Sequence, residues 1–284
     1  MNRILAGLLL VCTIFNSDLN AWWPSGHKIS AKIAYLNLTD EAREEVDRLL
    51  KSLESFYPEH TTFSQAATWA DDLKIQENVR LYDTWHFTNI PYDPESILSA
   101  EDLKLIAAQN IGNDIVSLIP KAIEALSSEK ATSFTKTVML YWLIHTVADI
   151  HQPLHCCSRY SKEFPDGDRG GNLFLINGMA VKNLHQFWDG AVGLLSYEET
   201  DENIDRHTSL FMNLFPKENY SDLDSCNAQY WAAESQQIAV NSAFCMEINS
   251  VPSEEYISKN RSIAAERITL AGYRLAALLN RIFK

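Results

Sequence analysis

The sequence predicts an all-α fold in a single domain, with one short β-hairpin, on three observations. Apolar residues recur at helical spacing in stretch after stretch. The chain holds only 10 Gly and 9 Pro, with no repeat, low-complexity tract or Gly/Ser linker. Its 284 residues are close to the upper size for one hydrophobic core, about 250–300 residues.

Taken in order, residues 1–21 read as a signal peptide that is removed. Arg3 supplies the positive end, Ile4 to Phe15 is an apolar run too short to span a bilayer, and Leu19-Asn20-Ala21 ends on a small residue suited to cleavage. One domain over residues 22–284 then begins at Trp22, in a secreted, periplasmic or other exported compartment, without spanning a membrane. The first helix is expected from His27 to Leu38, with Ile29, Ile33 and Leu36 on one face, and the second from Asp40 to Leu53. Further helices are expected at Thr62 to Gln76, Ala100 to Leu126, Ser133 to Ile150, Asn183 to Leu195, Asn227 to Phe244 and Ser253 to Phe283. Ser99 and Asp102 form a capping pair for the 100–126 stretch. The hairpin is placed at Leu173 to Val181, where Asn177-Gly178 suits a two-residue turn.

Export sets the redox chemistry. Losing Cys12 leaves Cys156, Cys157, Cys226 and Cys245, an even number that suits disulfides; adjacent Cys156 and Cys157 would be strained if joined, so both are expected to pair with Cys226 and Cys245, in either order. Asn37, Asn219 and Asn260 begin sequons that matter only in a glycosylating host. The 24 Lys and Arg face 37 Asp and Glu, a net charge of -13, which excludes a protein that holds nucleic acid along its backbone by its own cations. Seven Trp and eleven Tyr read first as core-filling rings.

The chemistry-bearing residues are histidines and aspartates. His145 and Asp149 are four apart, so on a helix they project from one face and can grip one ion; Pro153 then ends the helix and delivers His155 on the next turn. His185 and Asp189 repeat the spacing. One such pair is usually a surface ion pair, but two, each set among Trp, Leu and Phe, are costly to bury unless they coordinate something. Trp69-Ala70-Asp71 and Trp85-His86-Phe87 add ligand-type residues in aromatic frames, and His27 lies five positions after Trp22, whose freed α-amino group is itself a competent ligand. His151 falls one position off the helical register and reads as a neighbouring or surface group. His60 and His207 read as solvent-exposed, and Asp72 should point away from Asp71's side.

These segments resemble the zinc-dependent class I nucleases, single-strand-specific enzymes also called 3'-nucleotidases, within the zinc phospholipase C/nuclease superfamily. The matching elements are Trp22-x4-His27, Trp69-Ala70-Asp71, Trp85-His86-Phe87, His145-x3-Asp149-x2-Gln152-Pro153-Leu154-His155, Gly170-Gly171-Asn172, Asn183-Leu184-His185-x2-Trp188-Asp189 and Gly272-Tyr273-Arg274-Leu275-Ala276. The resemblance implies a phospholipase C/nuclease-type helical fold holding three zinc ions. Asp71, His86, His145 and Asp149 would hold one; the amine and carbonyl of Trp22, with His27 and Asp149, a second; His155, His185 and Asp189 a third.

It implies further that single-stranded DNA and RNA are cut to 5'-nucleotides and 3'-nucleotides lose their phosphate, by zinc-activated hydroxide attack on phosphorus; separately, no stable protein partner is expected and the chain is expected to be a monomer. Asp71 would orient the nucleophile, Phe87 would stack an unpaired base, and Asn89 and Asn172 would bind substrate. The chain departs from fungal relatives at Lys74, where they carry Arg, and at Asn89, where they carry Asp. Lys74 offers the phosphate a point charge in place of a two-pronged fork, so base preference does not carry over. Two other readings compete. A zinc phospholipase C shares the fold but has Glu at the position of Asp189 and a longer gap from its terminal Trp to the first His. A non-catalytic zinc-sequestering protein would have no need of the Asp71, Lys74 and Phe87 neighbourhood.

Overall fold

The computed structural model describes residues 22–284, so the expected signal peptide lies outside the described residues. Within them the chain forms eleven α-helices: α1 (Pro24–Leu36), α2 (Asp40–Lys51), α3 (Phe63–Ala66), α4 (Trp69–Ile75), α5 (Ala100–Asn110), α6 (Ile115–Ser127), α7 (Ser133–Asp149), α8 (Leu184–Asp189), α9 (Asp201–Leu214), α10 (Ala228–Ile238) and α11 (Glu254–Ile282). Most start where the sequence supplies a side-chain cap. Thr39, Asp114, Thr132, Asn183, Asn227 and Ser253 each accept a backbone N–H from the first turn, and Ser99 and Asp102 close the expected capping box of α5.

Several boundaries differ from the sequence expectation, each for a local reason. The stretch from Ala100 to Leu126 is two helices, because the chain leaves α5 through Gly112 at φ 78° and restarts at the Asp114 cap. The helix from Thr62 breaks between α3 and α4. The one expected from Asn183 to Leu195 stops at α8, since Ala191, Val192 and Gly193 all take positive φ. Helix α9 is absent from the expectation although Thr200 caps it and its buried positions Ile204, His207, Thr208 and Phe211 keep helical spacing; two of those four are polar, which masks the apolar stripe.

The hairpin is corrected as well. Around Leu173 to Val181 there is one isolated antiparallel bridge, Leu175 to Asn183, closed by the Ile176 N–H donating to the Lys182 carbonyl at 3.0 Å. The two-stranded sheet lies elsewhere, where β1 (Pro91–Tyr92) pairs in parallel with β2 (Ser158–Arg159). This small sheet ties the His86–Asn89 segment to the chain leaving His155: the Thr88 N–H donates to the His155 carbonyl at 2.9 Å and the Ser158 N–H to the Ile90 carbonyl at 3.1 Å.

Two apolar clusters share α7. One gathers Leu49, Trp69, Tyr141, Trp231 and Leu278; the other gathers Trp22, Ile29, Phe174, Trp188 and Ile268. The large rings fill these cores, as first read: Trp22, Trp188, Trp231, Tyr141 and Tyr273 are buried. Long α11 lies against α1, and Gly272 permits their close approach, since a Cβ there would sit 2.7 Å from both Ile33 and the Ser30 carbonyl. No described helix is long and apolar enough to cross a membrane.

The four cysteines are free thiols, contrary to the pairing expected. Cys156 and Cys157, though adjacent, belong to different apolar clusters, and Cys245 is exposed. Burial raises the thiol pKa of both Cys156 and Cys157, so neither offers a thiolate. Asn260 is buried in α11 with its amide donating to the Tyr256 carbonyl, which leaves it no access for a glycan, whereas Asn219 is exposed. His60 and His207, expected in solvent, are largely buried; His60 Nε2 lies 2.8 Å from Asp72 Oδ2, which does point away from Asp71's neighbours.

A candidate metal centre

The histidines and aspartates singled out in the sequence converge where the two apolar clusters meet. Helix α7 supplies His145 and Asp149 from one face, a turn ending at His86 brings that residue alongside, α4 supplies Asp71 and α1 supplies His27. All five are buried. Asp149 sits between the groups: its Oδ1 lies 3.3 Å from His27 Nε2, and its Oδ2 lies 3.0 Å from His145 Nε2 and 3.1 Å from His86 Nδ1. Asp71 Oδ1 stands 3.8 Å from both His86 Nδ1 and His145 Nε2. The rings of His27 and His145 stack with centroids 4.1 Å apart.

A second gathering lies beyond the end of α7. His155, on the turn begun by Pro153, faces His185 of α8 with ring centroids 5.0 Å apart, and Asp189 Oδ2 lies 3.7 Å from His185 Nε2. The ligand-type atoms thus form three groups, His27/His145/Asp149, Asp71/His86/His145 and His155/His185/Asp189, each with its atoms within 4.8 Å of one another.

The backbone fixes the direction of these rings. His145 Nδ1 donates to the Ala67 carbonyl, His155 Nδ1 to the His86 carbonyl and His185 Nδ1 to the Gly170 carbonyl, each at 2.7 Å. Each ring thereby engages Nδ1 with the backbone and turns Nε2 inward, the orientation that metal-binding histidines adopt. Gly170 can offer its carbonyl because it has no Cβ; one added there would collide with the Leu154 carbonyl. Gln152 acts in the same way on the carboxylates: its Nε2 donates to Asp189 Oδ1 at 2.7 Å while its Oε1 accepts the Leu154 N–H at 2.6 Å. Its role was not assigned from sequence, although its place between Asp149 and His155 was the signal available.

Charge is poorly compensated here. Burial raises the Asp189 carboxyl well above the usual carboxylate range, against its hydrogen bond from Gln152 and with Asp71 and Asp149 adding to the effect. Burial lowers His155 to about 3. Burial would lower His145 too, but the carboxylates of Asp149 and Asp71 overcome it and push the ring to about 9. Both nitrogens of His27, Asp71 Oδ1, Asp149 Oδ1 and His155 Nε2 are buried without a hydrogen-bond partner. Each such orphan costs about 1–3 kcal/mol, so the set is explained if a cation binds there. Imidazole nitrogen and carboxylate oxygen suit zinc, and the raised thiols of Cys156 and Cys157 stay outside the donor set.

Lys74 is buried on α4, and its charge favours the ionised form of Asp189. Beside His155 and His185 opens a cavity of about 300 Å³ that Phe87, Asn89, Tyr160, Asp166 and Arg169 also line. Asn172 is not among its lining residues; its amide instead donates to the Arg169 carbonyl at 2.9 Å.

His151, read as a neighbouring or surface group, is buried on the opposite side of the α7 terminus. Its Nδ1 donates to the Val147 carbonyl at 2.7 Å, which leaves Nε2 to accept from Arg274 Nη1 at 2.9 Å. Arg274 and Arg267 of α11 share Glu234 of α10, while Arg267 Nε donates to the His151 carbonyl at 3.3 Å and Ser235 Oγ to the Ile150 carbonyl at 2.6 Å. These contacts brace residues 150 and 151, the link between Asp149 and Gln152.

Several known proteins resemble the chain over most of its length. Endonuclease 1 of Arabidopsis thaliana is 26% identical over 300 residues, covering 99% of this chain and 92% of its own. Endonuclease 2 of the same plant is 27% identical over 94% of this chain and 92% of its own, and Nuclease S1 of Aspergillus oryzae is 25% identical over 92% and 91%. Among solved structures, the Alpha Toxin from Clostridium Absonum aligns with a TM-score of 0.47 and 14% identity, over 94% of this chain and 66% of that one. Residues 22–284 match the family described as S1/P1 Nuclease, and the chain, a hydrolytic nuclease, belongs to that family.

Proposed function

We propose that the protein is a secreted, monomeric phosphodiesterase with three zinc ions, which cuts single-stranded DNA and RNA to 5'-nucleotides and removes the phosphate of 3'-nucleotides. The observation that carries this reading is the set of buried, unpartnered ligand-type atoms of His27, Asp71, Asp149 and His155, each in one of the three His/Asp groups. Asp71, His86, His145 and Asp149 would hold one ion. The Trp22 amine and carbonyl, exposed by cleavage after Ala21, would hold a second with His27 and Asp149. His155, His185 and Asp189 would hold the third. Bound there, zinc supplies an acidified water and neutralises charge on the phosphate.

The side chains divide the remaining work. Asp71 Oδ1, buried and without a hydrogen-bond partner, accepts a hydrogen of the attacking water and so aims its lone pair. Lys74 places a positive charge next to the phosphate in an otherwise acidic neighbourhood. Phe87 stacks an unpaired base, worth about 1–3 kcal/mol, and Asn89 meets its edge with both a donor and an acceptor. Because Phe87 and Asn89 lie in a cavity, a base must leave the helical stack to reach them, which favours single strands.

The test is to incubate the chain beginning at Trp22 with single-stranded DNA, RNA, 3'-AMP and phosphatidylcholine, with and without a chelator. The reading expects acid-soluble 5'-nucleotides and free phosphate, lost on chelation and regained with zinc. Bound zinc with every substrate intact would favour sequestration, and hydrolysis of phosphatidylcholine alone would favour a phospholipase.

A further inference from the structure

The turn Asp168-Arg169-Gly170-Gly171-Asn172 carries more structure than the orientation of one histidine requires. Three successive residues take left-handed backbone, with φ 56° at Arg169, 62° at Gly170 and 82° at Gly171. Glycine adopts that region freely, but arginine does so at a cost that surrounding contacts must sustain. Those contacts are present. Asp168 is buried and its Oδ1 accepts the Arg159 N–H at 2.9 Å; the Asp168 carbonyl accepts the Leu173 N–H at 3.0 Å; the Arg169 carbonyl accepts the Asn172 amide at 2.9 Å; and the Gly170 carbonyl holds His185. The backbone of Arg169 is thus fixed to the candidate centre through one neighbouring residue.

Its side chain is placed differently. Arg169 is exposed, lines the cavity that Phe87, Asn89, His155 and His185 share, and makes no hydrogen bond or ion pair among the described residues. It is the one Arg or Lys among the residues lining that cavity. Asp166 lines the same cavity without pairing with it, in a chain whose net charge is -13. An unpartnered guanidinium on a rigid turn in so acidic a protein presents a planar fork suited to a phosphate.

Resting on the reading above, in which Phe87 stacks a base in the cavity that His155 and His185 also line, we propose that the 3'-ester of that nucleoside lies at the histidines and that Arg169 is a specificity-determining residue that grips its 5'-phosphate. With the 3'-ester taken up at the histidines, the 5'-phosphate is the remaining anion of that nucleoside, and Arg169 is the one Arg or Lys among the residues lining the cavity. A 3'-mononucleotide lacks the 5'-phosphate and gains nothing from this contact, whereas an internal position of a strand always has one. Arg169 therefore tilts the enzyme toward chains and away from free 3'-nucleotides.

The test compares two dinucleotides that differ only in a 5'-phosphate, with the wild-type chain, Arg169→Gln and Arg169→Lys, all starting at Trp22. The expected result is a kcat/KM about tenfold higher for the 5'-phosphorylated substrate with the wild type, an advantage lost in Arg169→Gln and partly kept in Arg169→Lys. Hydrolysis of 3'-AMP should stay within about twofold across all three, with zinc content unchanged. An advantage that survives in Arg169→Gln, or an equal slowing of every substrate, would overturn the proposal; the latter would mark Arg169 as a support of the turn alone. A wild-type chain that cleaves neither dinucleotide would instead sink the functional reading, and this proposal with it.

Discussion

Two buried polar nests flank the end of α7, and they differ in how completely they satisfy themselves. On one side His151, Arg267, Arg274, Glu234 and Ser235 form a lattice whose groups partner one another or a backbone carbonyl, with Arg274 Nε left over. On the other side His27, Asp71, His145 and Asp149 approach one another closely and His155 lies beyond them beside His185, yet these residues leave five ring or carboxylate atoms orphaned. Both nests are built mainly of ionisable side chains and, Glu234 apart, are buried, so burial alone does not mark the one that holds a ligand. The mark is incompleteness: a closed network serves the fold, and an open one asks for something from outside.

Substitutions should separate the two nests. The largest effect is expected for Asp149→Asn, which removes charge from the carboxylate shared by the ligand groups; nuclease activity should fall by more than about 100-fold, beyond what loss of an outer partner costs, with zinc lost by elemental analysis. Glu234→Ala should do the reverse. It leaves Arg267 and Arg274 buried without their carboxylate, costing about 3 kcal/mol in urea unfolding of the zinc-loaded protein while the zinc content holds. Zinc loss before unfolding in that variant would show that the nests are not independent.

Gln152→Ala probes the boundary between them. Loss of its hydrogen bond to Asp189 should weaken zinc binding or activity by about 10–100-fold with a smaller change in stability. The smallest effect is one of pH. Burial, then the charges of Arg267 and Arg274, hold His151 well below the usual imidazole range. Below about pH 6.5 the unfolded chain binds a proton that the folded one refuses, so stability present above that pH is lost on acidification, by about 1.4 kcal/mol per pH unit at most. Melting curves at pH 7.5 and 5.5 should show a smaller acid-side loss in His151→Asn than in the wild type.

The open nest was largely legible in the sequence because its residues announce themselves locally. His145 with Asp149, and His185 with Asp189, are helical neighbours, and Pro153 places His155. The closed nest was not legible, since His151 and Arg274 meet across 123 positions and nothing near either residue signals the other. The carbonyls of Ala67, His86 and Gly170 that aim the histidines were hidden for a different reason: a backbone acceptor has no residue identity to read. Fold errors followed the same division. Helices with an apolar buried stripe were anticipated, while α9, capped by Thr200 but with a half-polar buried stripe, was not, and the parallel pairing of β1 with β2 joins segments 67 residues apart. The cysteine pairing was inferred from number and compartment, which carry no information on distance.

The central claim is that the orphaned atoms around Asp149 and His155 are metal ligands, and the metal content of the chain beginning at Trp22 tests it most directly. Native mass spectrometry of protein purified without added metal should show three zinc ions per chain, falling to two when extra residues precede Trp22. A fully folded, active chain that carries no zinc would contradict the account.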